Sequence, residues 1–376
     1  MTRRAPRLLL LFCDDSTLIF CARMADLLIE ADRSAQITFA AYAPESALSD
    51  RQLRQYLPHG NYEILDTAGL TAALMNGAYD AILTSRVFRP LDRLLGNPLY
   101  RQKSGRARVV SFLGGLDFSP GRGMRNRRHC DIVYLFPRKT CEKFRATYAQ
   151  PETEGLAEWP IVGFGHPAFL MPRSAPDKAL DPAGDIYFFA QALSPSTARA
   201  RRHMLEVMAA IARRNPERTV WIKLRHLPNE NTRHLHRERH DYPGLAATCT
   251  DLPGNLRLTA RTMGQALSNA SLGITCTSTA AIDLVREGVP AMVHLDYPDR
   301  TLDPLVEPMR RLFSGSNLVK SLDDVLNLRF DAPDRDWLSG IFCPRDLGRD
   351  VLSRIADATV QTPDPFEKNN RILSTY

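Results

Sequence analysis

The chain lacks any apolar run approaching the roughly 20 residues that a membrane-spanning helix requires. The basic start runs into the apolar segment RLLLLFC, which stops at Asp14 and Asp15, short of the apolar length of a secretory leader. A buried first strand is therefore expected, with the cytoplasm as the expected compartment. Cys13, Cys21, Cys130, Cys141, Cys249, Cys276 and Cys343 are odd in number and scattered, with no C-x-x-C pair. That spacing argues against a disulfide framework and for reduced thiols. The phosphate-loop pattern G-x-x-x-x-G-K-[ST], the dinucleotide pattern G-x-G-x-x-G after a strand and the nucleophile elbow G-x-S-x-G are also missing. GFGHPA at 163–168 lacks the third glycine. ATP hydrolysis, dinucleotide redox chemistry and serine-hydrolase chemistry are thus disfavoured. Low-complexity tracts and internal repeats are absent as well.

What is present suits a folded α/β protein. With 376 residues, 44% of them hydrophobic and 24% charged, the chain can build two domains with separate cores. Strand-like and helix-like segments alternate: RLLLLFC, then STLIFCARMADLLIEA with Ser16 as its expected cap, then AQITFAAYA, and onward through YEIL, YDAILTS, ARVVSFLGG and DIVYLFP. A Pro- and Gly-rich break around 149–185 follows. A second series then runs through DIYFFAQ, RTVWIKLRH, NLRLTA, LGITC and PAMVHL, with helical segments between them. Parallel neighbours need such crossovers. The expected architecture is two tandem Rossmann-like doubly wound domains, 1–165 and 166–345, with a terminal helix and tail at 346–376 and ligands bound beyond the strand ends.

Charge is unevenly spread. The formal net charge is +7, and residues 101–144 hold eleven Lys or Arg against three Asp or Glu. Such a patch faces an anionic glycan or an anionic membrane, or it is a solvated surface. No nucleic-acid motif accompanies it and aromatic interleaving is sparse, so no specific nucleic-acid partner is expected.

Two strand ends carry candidate chemistry. After LGITC come Thr277, Ser278 and Thr279 at a helix start, where hydroxyls and free amides either cap the helix or take a phosphate. Glu287-Gly288-Val289-Pro290 closes that helix. RTVWIKLRH delivers Lys223, Arg225 and His226 to another strand end. A phosphate-seeking helix start and a cationic strand end in one domain are complementary halves of a nucleotide site. Asp14 and Asp15 after the first strand are either a general base or an acidic helix cap. Asp117 is a weaker base candidate. Gly114 and Gly115 either admit a substrate to the backbone or form a turn. His226, His234, His236 and His240 lack an ordered acidic or cysteine partner, so no metal is expected.

On FFAQALSP, WIKLRHLPNEN and CTSTAAIDLVREGVPAMVHLDYP, the chain resembles the donor-binding half of GT-B glycosyltransferases of bacterial surface-polysaccharide synthesis. It is similar to bacterial sialyl- and polysialyltransferases and capsular Kdo transferases. The resemblance implies a GT-B fold with an interdomain cleft, and a CMP-linked sialic or Kdo-like donor held by His226 and Pro228, with Leu227 inserted between them, and by Ser278 with Thr279. It also extends to uncharacterised glycosyltransferases with an acidic turn such as Asp14-Asp15-Ser16, and with KLR followed by a glutamate, here Glu230. The implied donor set is Gln191, Lys223, Arg225, His226, Glu230, Thr277, Ser278 and Thr279. Asp14 and Asp15 are the implied catalytic carboxylates, and Gly114, Gly115, Arg127 and Arg128 the acceptor-side residues, with no cofactor. The expected partners are a nucleotide-sugar and a glycan or lipid-linked glycan acceptor, with peripheral attachment to the inner membrane. A CDP-glycerol or UDP-sugar enzyme is the alternative within this class. A non-catalytic basic protein that binds membrane or nucleic acid is the alternative outside it.

Overall fold

The computed structural model describes residues 4–57, 60–113, 120–148, 160–171, 184–227 and 238–360. The chain divides into two compact units, one made of Met1–Leu170 with Cys343–Tyr376 and the other of Met171–Phe342. Sequence places the second domain at 166–345 and the terminal helix and tail at 346–376. In the structure that terminal segment belongs to the first unit.

Unit 1 is built on β1 (Arg7–Phe12), β2 (Gln36–Tyr42), β3 (Glu63–Leu65), β4 (Ala81–Thr84), β5 (Arg108–Phe112), β6 (Ile132–Leu135) and β7 (Ile161–Phe164). They form one sheet in the order β3-β2-β1-β4-β5-β6-β7, and every pairing is parallel. Leu8 to Leu11 are wholly buried, because crossover helices cover both faces of a parallel sheet and each side chain of a central strand meets a helix. β7 falls inside the segment that reads as a break. It is a four-residue edge strand, half-exposed and followed by Gly165 and Pro167, so turn residues mask its short apolar signal.

Helix Leu347–Val360 packs on helix Asp15–Ala31. Gly348 permits the approach, since a Cβ there would sit 2.2 Å from the carbonyl oxygen of Leu27. Leu347, Val351 and Ile355 enter the core around Leu8, Leu10 and Met24. Tyr134 Oη donates to Asp350 Oδ2 at 2.6 Å, tying the helix to β6.

Unit 2 contains β8 (Asp185–Phe189), β9 (Val220–Lys223), β10 (Leu256–Thr259), β11 (Ala270–Thr275) and β12 (Ala291–Val293). Their order is β10-β9-β8-β11-β12, again all parallel. Helix Ala198–Arg214 buries Ala200, Arg201, Met204, Leu205, Met208, Ile211 and Ala212 on one face. That is helical spacing, with one arginine among the apolar residues. Both sheets are doubly wound, as expected. Among the described residues no helix is long and apolar enough to cross a membrane.

Candidate functional site

Each sheet has a place where strand order reverses, the point beyond whose strand ends doubly wound folds form a ligand crevice. In unit 1 it lies between β1 and β4 and is held by Asp14. Asp14 is the N-cap of helix Asp15–Ala31, where sequence expects Ser16. Its Oδ1 accepts from the Thr17 amide at 2.8 Å, and the Thr17 hydroxyl accepts from the Asp14 amide at 2.9 Å, a closed capping box. Extended backbone at Asp14 (φ −141°, ψ 177°) aims its carboxylate at the free amides. Ser16 instead donates its hydroxyl to Asp14 Oδ1 at 2.8 Å. From the end of β4, Arg86 donates to Asp14 Oδ2 at 2.9 Å and to Glu45 Oε2 at 3.0 Å. Burial raises the Asp14 pKa, but bonds from Thr17, Ser16 and Arg86 outweigh it and hold the carboxyl below its usual range. Asp15 is half-exposed and accepts from the Ser16 amide at 2.9 Å.

Of the residues expected to meet an acceptor, Arg127 is buried and donates to Ser111 Oγ and to the carbonyls of Phe112, Gly123 and Ser85. This arginine braces the ends of β4 and β5. Arg128 is exposed beside His129. Gly114, Gly115 and Asp117 lie outside the described residues. Within the basic stretch, Arg106 and Arg108 both pair with Asp131, so with Arg127 three of its cations serve the fold. Lys103, Arg125, Arg128, Arg138, Lys139 and Lys143 are exposed.

In unit 2 the crevice lies between β8 and β11, flanked by β9. Strands about 4.8 Å apart put the ends of β9 and β11 about 10 Å apart, so the two candidate elements flank one intervening strand. Lys223 ends β9 and donates Nζ to the Leu224 carbonyl at 2.9 Å. Arg225 is half-buried, and His226 is 2% exposed. Gln191, after β8, accepts from the Leu193 amide at 3.2 Å. Thr277 is 1% exposed, and its hydroxyl meets no hydrogen-bond partner among the described residues. Ser278 Oγ accepts from the Ala280 amide at 3.2 Å, so this hydroxyl serves the helix start, while the Thr279 side chain makes no cap bond. Gly288 follows the helix with φ +69°, the left-handed stop that glycine allows. Glu230, Pro228, His234 and His236 lie outside the described residues. No group of three or more His, Cys, Asp or Glu that could hold a metal occurs among those described.

Sequence reasoning misses the polar core beneath this crevice. Arg201, 1% exposed, donates Nε to the Pro195 carbonyl at 2.8 Å and Nη2 to the carbonyls of Gln191 and Ala192 at 2.8 and 2.6 Å. Its Nη1 pairs with Glu238. Glu238 Oε2 stands 4.0 Å from His226 Nε2. The Arg201 guanidinium also lies 5.5 Å from the Tyr242 ring centre. Burial pushes the Glu238 carboxyl up, against the pull of Arg201. A second lock joins β8 to the segment after β12: Ser194 Oγ and Tyr297 Oη both donate to Asp303 Oδ2, at 2.6 and 2.8 Å. The available signal for Arg201 is its place at i in the i, i+3, i+4, i+7 set Arg201, Met204, Leu205, Met208.

Two Rossmann-like units with these switch-point crevices define the GT-B fold. Crystal structures of similar architecture include UDP-GlcNAc 2-epimerase from Methanocaldococcus jannaschii, with 10% identity, 92% of this chain and 99% of that one covered and a TM-score of 0.56. UDP-GlcNAc 2-epimerase from Neisseria meningitidis bound to UDP-GlcNAc aligns at 13% identity over 93% of this chain and 100% of that one, with a TM-score of 0.53. MurG from Acinetobacter baumannii aligns at 12% identity over 94% and 99%, with a TM-score of 0.51. Identity this low establishes the fold alone. Residues 9–357 match the family described as "Putative glycosyltransferase (DUF6716)", and the chain belongs to that family. No curated protein matches the sequence significantly.

Proposed function

We propose that the protein transfers a sugar from a pyrimidine-nucleotide donor to a glycan or lipid-linked glycan, with the nucleotide seated in the β8/β11 crevice of unit 2. What supports this most is the position of Lys223, Arg225 and His226 at the end of β9 and of Thr277 after β11, on either side of β8, with the Thr277 hydroxyl buried and without a partner among the described residues. A buried hydroxyl without a partner costs about 1–3 kcal/mol, and a ligand oxygen supplies the missing bond. In the reaction the bond between the anomeric carbon and the donor phosphate breaks, and its electron pair leaves with the phosphate. The acceptor oxygen bonds to that carbon and its proton passes to a base. The cationic strand end stabilises the leaving phosphate without calling on a metal.

Asp15 is the proposed base. It is half-exposed, whereas the Asp14 carboxylate is engaged by the helix and Arg86 and held at low basicity. The UDP donor draws on the UDP-GlcNAc-bound fold neighbour. The CMP-linked sialic or Kdo-like donor draws on the resemblance at His226, Ser278 and Thr279. Arg128, with Gly114 and Gly115, remains the acceptor-side proposal, and the exposed cations of 101–144 suit an anionic glycan or the inner-membrane surface.

Thermal melts with UDP, CDP and CMP test the proposal, because a ligand that binds only the native state raises Tm by mass action. At least one should raise Tm, and His226→Ala should abolish the rise. No shift with any of the three refutes the nucleotide site.

A further inference from the structure

We propose that Arg201 is a positioning residue, which sets the place and charge state of His226 through its ion pair with Glu238. The inference rests on the reading of His226 as part of the donor crevice. The geometry is a relay. Arg201 grips three carbonyls of the segment after β8, those of Gln191, Ala192 and Pro195. Its remaining arm holds Glu238, whose other oxygen lies 4.0 Å from Nε2 of His226, which follows β9. One guanidinium thereby ties the segment after β8 to Glu238, and its planar fork suits that task where a lysine would not.

The relay is enclosed. Arg201, Glu238 and His226 are 1%, 6% and 2% exposed. Among the described residues, the other ionisable groups around Glu238 and Tyr242 include Arg225 from the end of β9, Asp241 from the start of helix Tyr242–Ala247, and Cys276 after β11. In such surroundings Arg201 is the nearest balance to the Glu238 charge, and the carboxylate oxygen that Arg201 does not hold is the one near His226. Removing Arg201 directs the whole carboxylate toward the imidazole and raises the His226 pKa. Removing the carboxylate lowers it. A role confined to packing does not move the imidazole in opposite directions.

The test is an NMR titration of the full chain carrying labelled histidine, with the His226 signal identified by its loss in His226→Asn. Relative to wild type, Arg201→Met should shift the His226 pKa up by at least half a unit and Glu238→Gln should shift it down by as much. If Arg201→Met does not fold, Arg201→Met with Glu238→Leu replaces the buried pair by apolar side chains, an exchange that folds readily. In that double variant the pKa should also fall, and Kd for whichever of UDP or CMP binds wild type should weaken at least tenfold with Tm retained. An unmoved His226 titration in Glu238→Gln overturns the inference, as does wild-type nucleotide affinity in the folded double variant. If wild type binds neither nucleotide, the donor reading fails, while the titration still judges the relay.

Discussion

The two switch-point crevices differ in how their polar groups are satisfied. In unit 1 the Asp14 carboxylate meets amides, hydroxyls and Arg86, and Arg86 in turn meets Glu45. In unit 2 an arginine and a glutamate are buried beneath the crevice, and the hydroxyls of Thr277 and Tyr242 are buried without partners among the described residues. The Asp14 network closes on itself, whereas after β11 the Thr277 hydroxyl is left open, the arrangement the proposed nucleotide site draws on.

The contrast can be broken most forcefully at Arg201. Arg201→Met leaves Glu238 buried without its counter-charge and should destabilise the protein by about 3–5 kcal/mol in urea denaturation, with much of the loss recovered when Glu238→Leu is added. A smaller effect is expected from acid acting on unit 1. His166 sits among Phe20, Phe136 and Phe169 at ring distances of 5.7, 5.3 and 5.1 Å, and burial, with help from Arg23 and Arg127, lowers its pKa from 6.5 to about 3. Between those values the unfolded chain binds the proton and the folded one does not. Stability should therefore rise with pH across that window and fall as pH drops below 6.5, at up to about 1.4 kcal/mol per pH unit. In His166→Phe that component of the slope should vanish, as chemical denaturation at pH 7 and pH 5 will show.

Asp14 and Asp15 sharpen the comparison further. Asp14→Ala removes a helix cap and should cost about 1–2 kcal/mol, while Asp15→Asn should leave stability unchanged and abolish sugar transfer with nucleotide binding intact. Full activity in Asp15→Asn would move the base elsewhere. Thr277→Val should act in the other direction. It removes a buried hydroxyl that has no partner among the described residues, so the variant should be more stable by about 1–3 kcal/mol while nucleotide affinity drops.

The strands of both sheets are legible because a doubly covered parallel sheet demands continuous apolar runs such as LLLLF and ASLGIT. β7 is not, because an edge strand of four residues beside glycine and proline carries too little signal. The helix after β1 is legible, but its cap is not: Asp14, Asp15 and Ser16 are all competent, and only backbone direction selects Asp14. At the site, the strand-end positions of His226 and Thr277 follow from topology alone. Arg201 and Glu238 do not, since an arginine in ARARRHM and a glutamate in HRERH look like surface charges until tertiary contacts bury them. The basic stretch is legible as charge but not as surface, because Arg106, Arg108 and Arg127 turn inward.

The return of helix Leu347–Val360 to the first unit makes the second one an insertion in the chain, entered at Met171 and left at Phe342. Exchanging the second unit between family members should therefore be done as a cassette with two junctions. A single crossover near the middle of the gene would pair β1 to β7 with a foreign closing helix and spoil the contact at Gly348 and Tyr134.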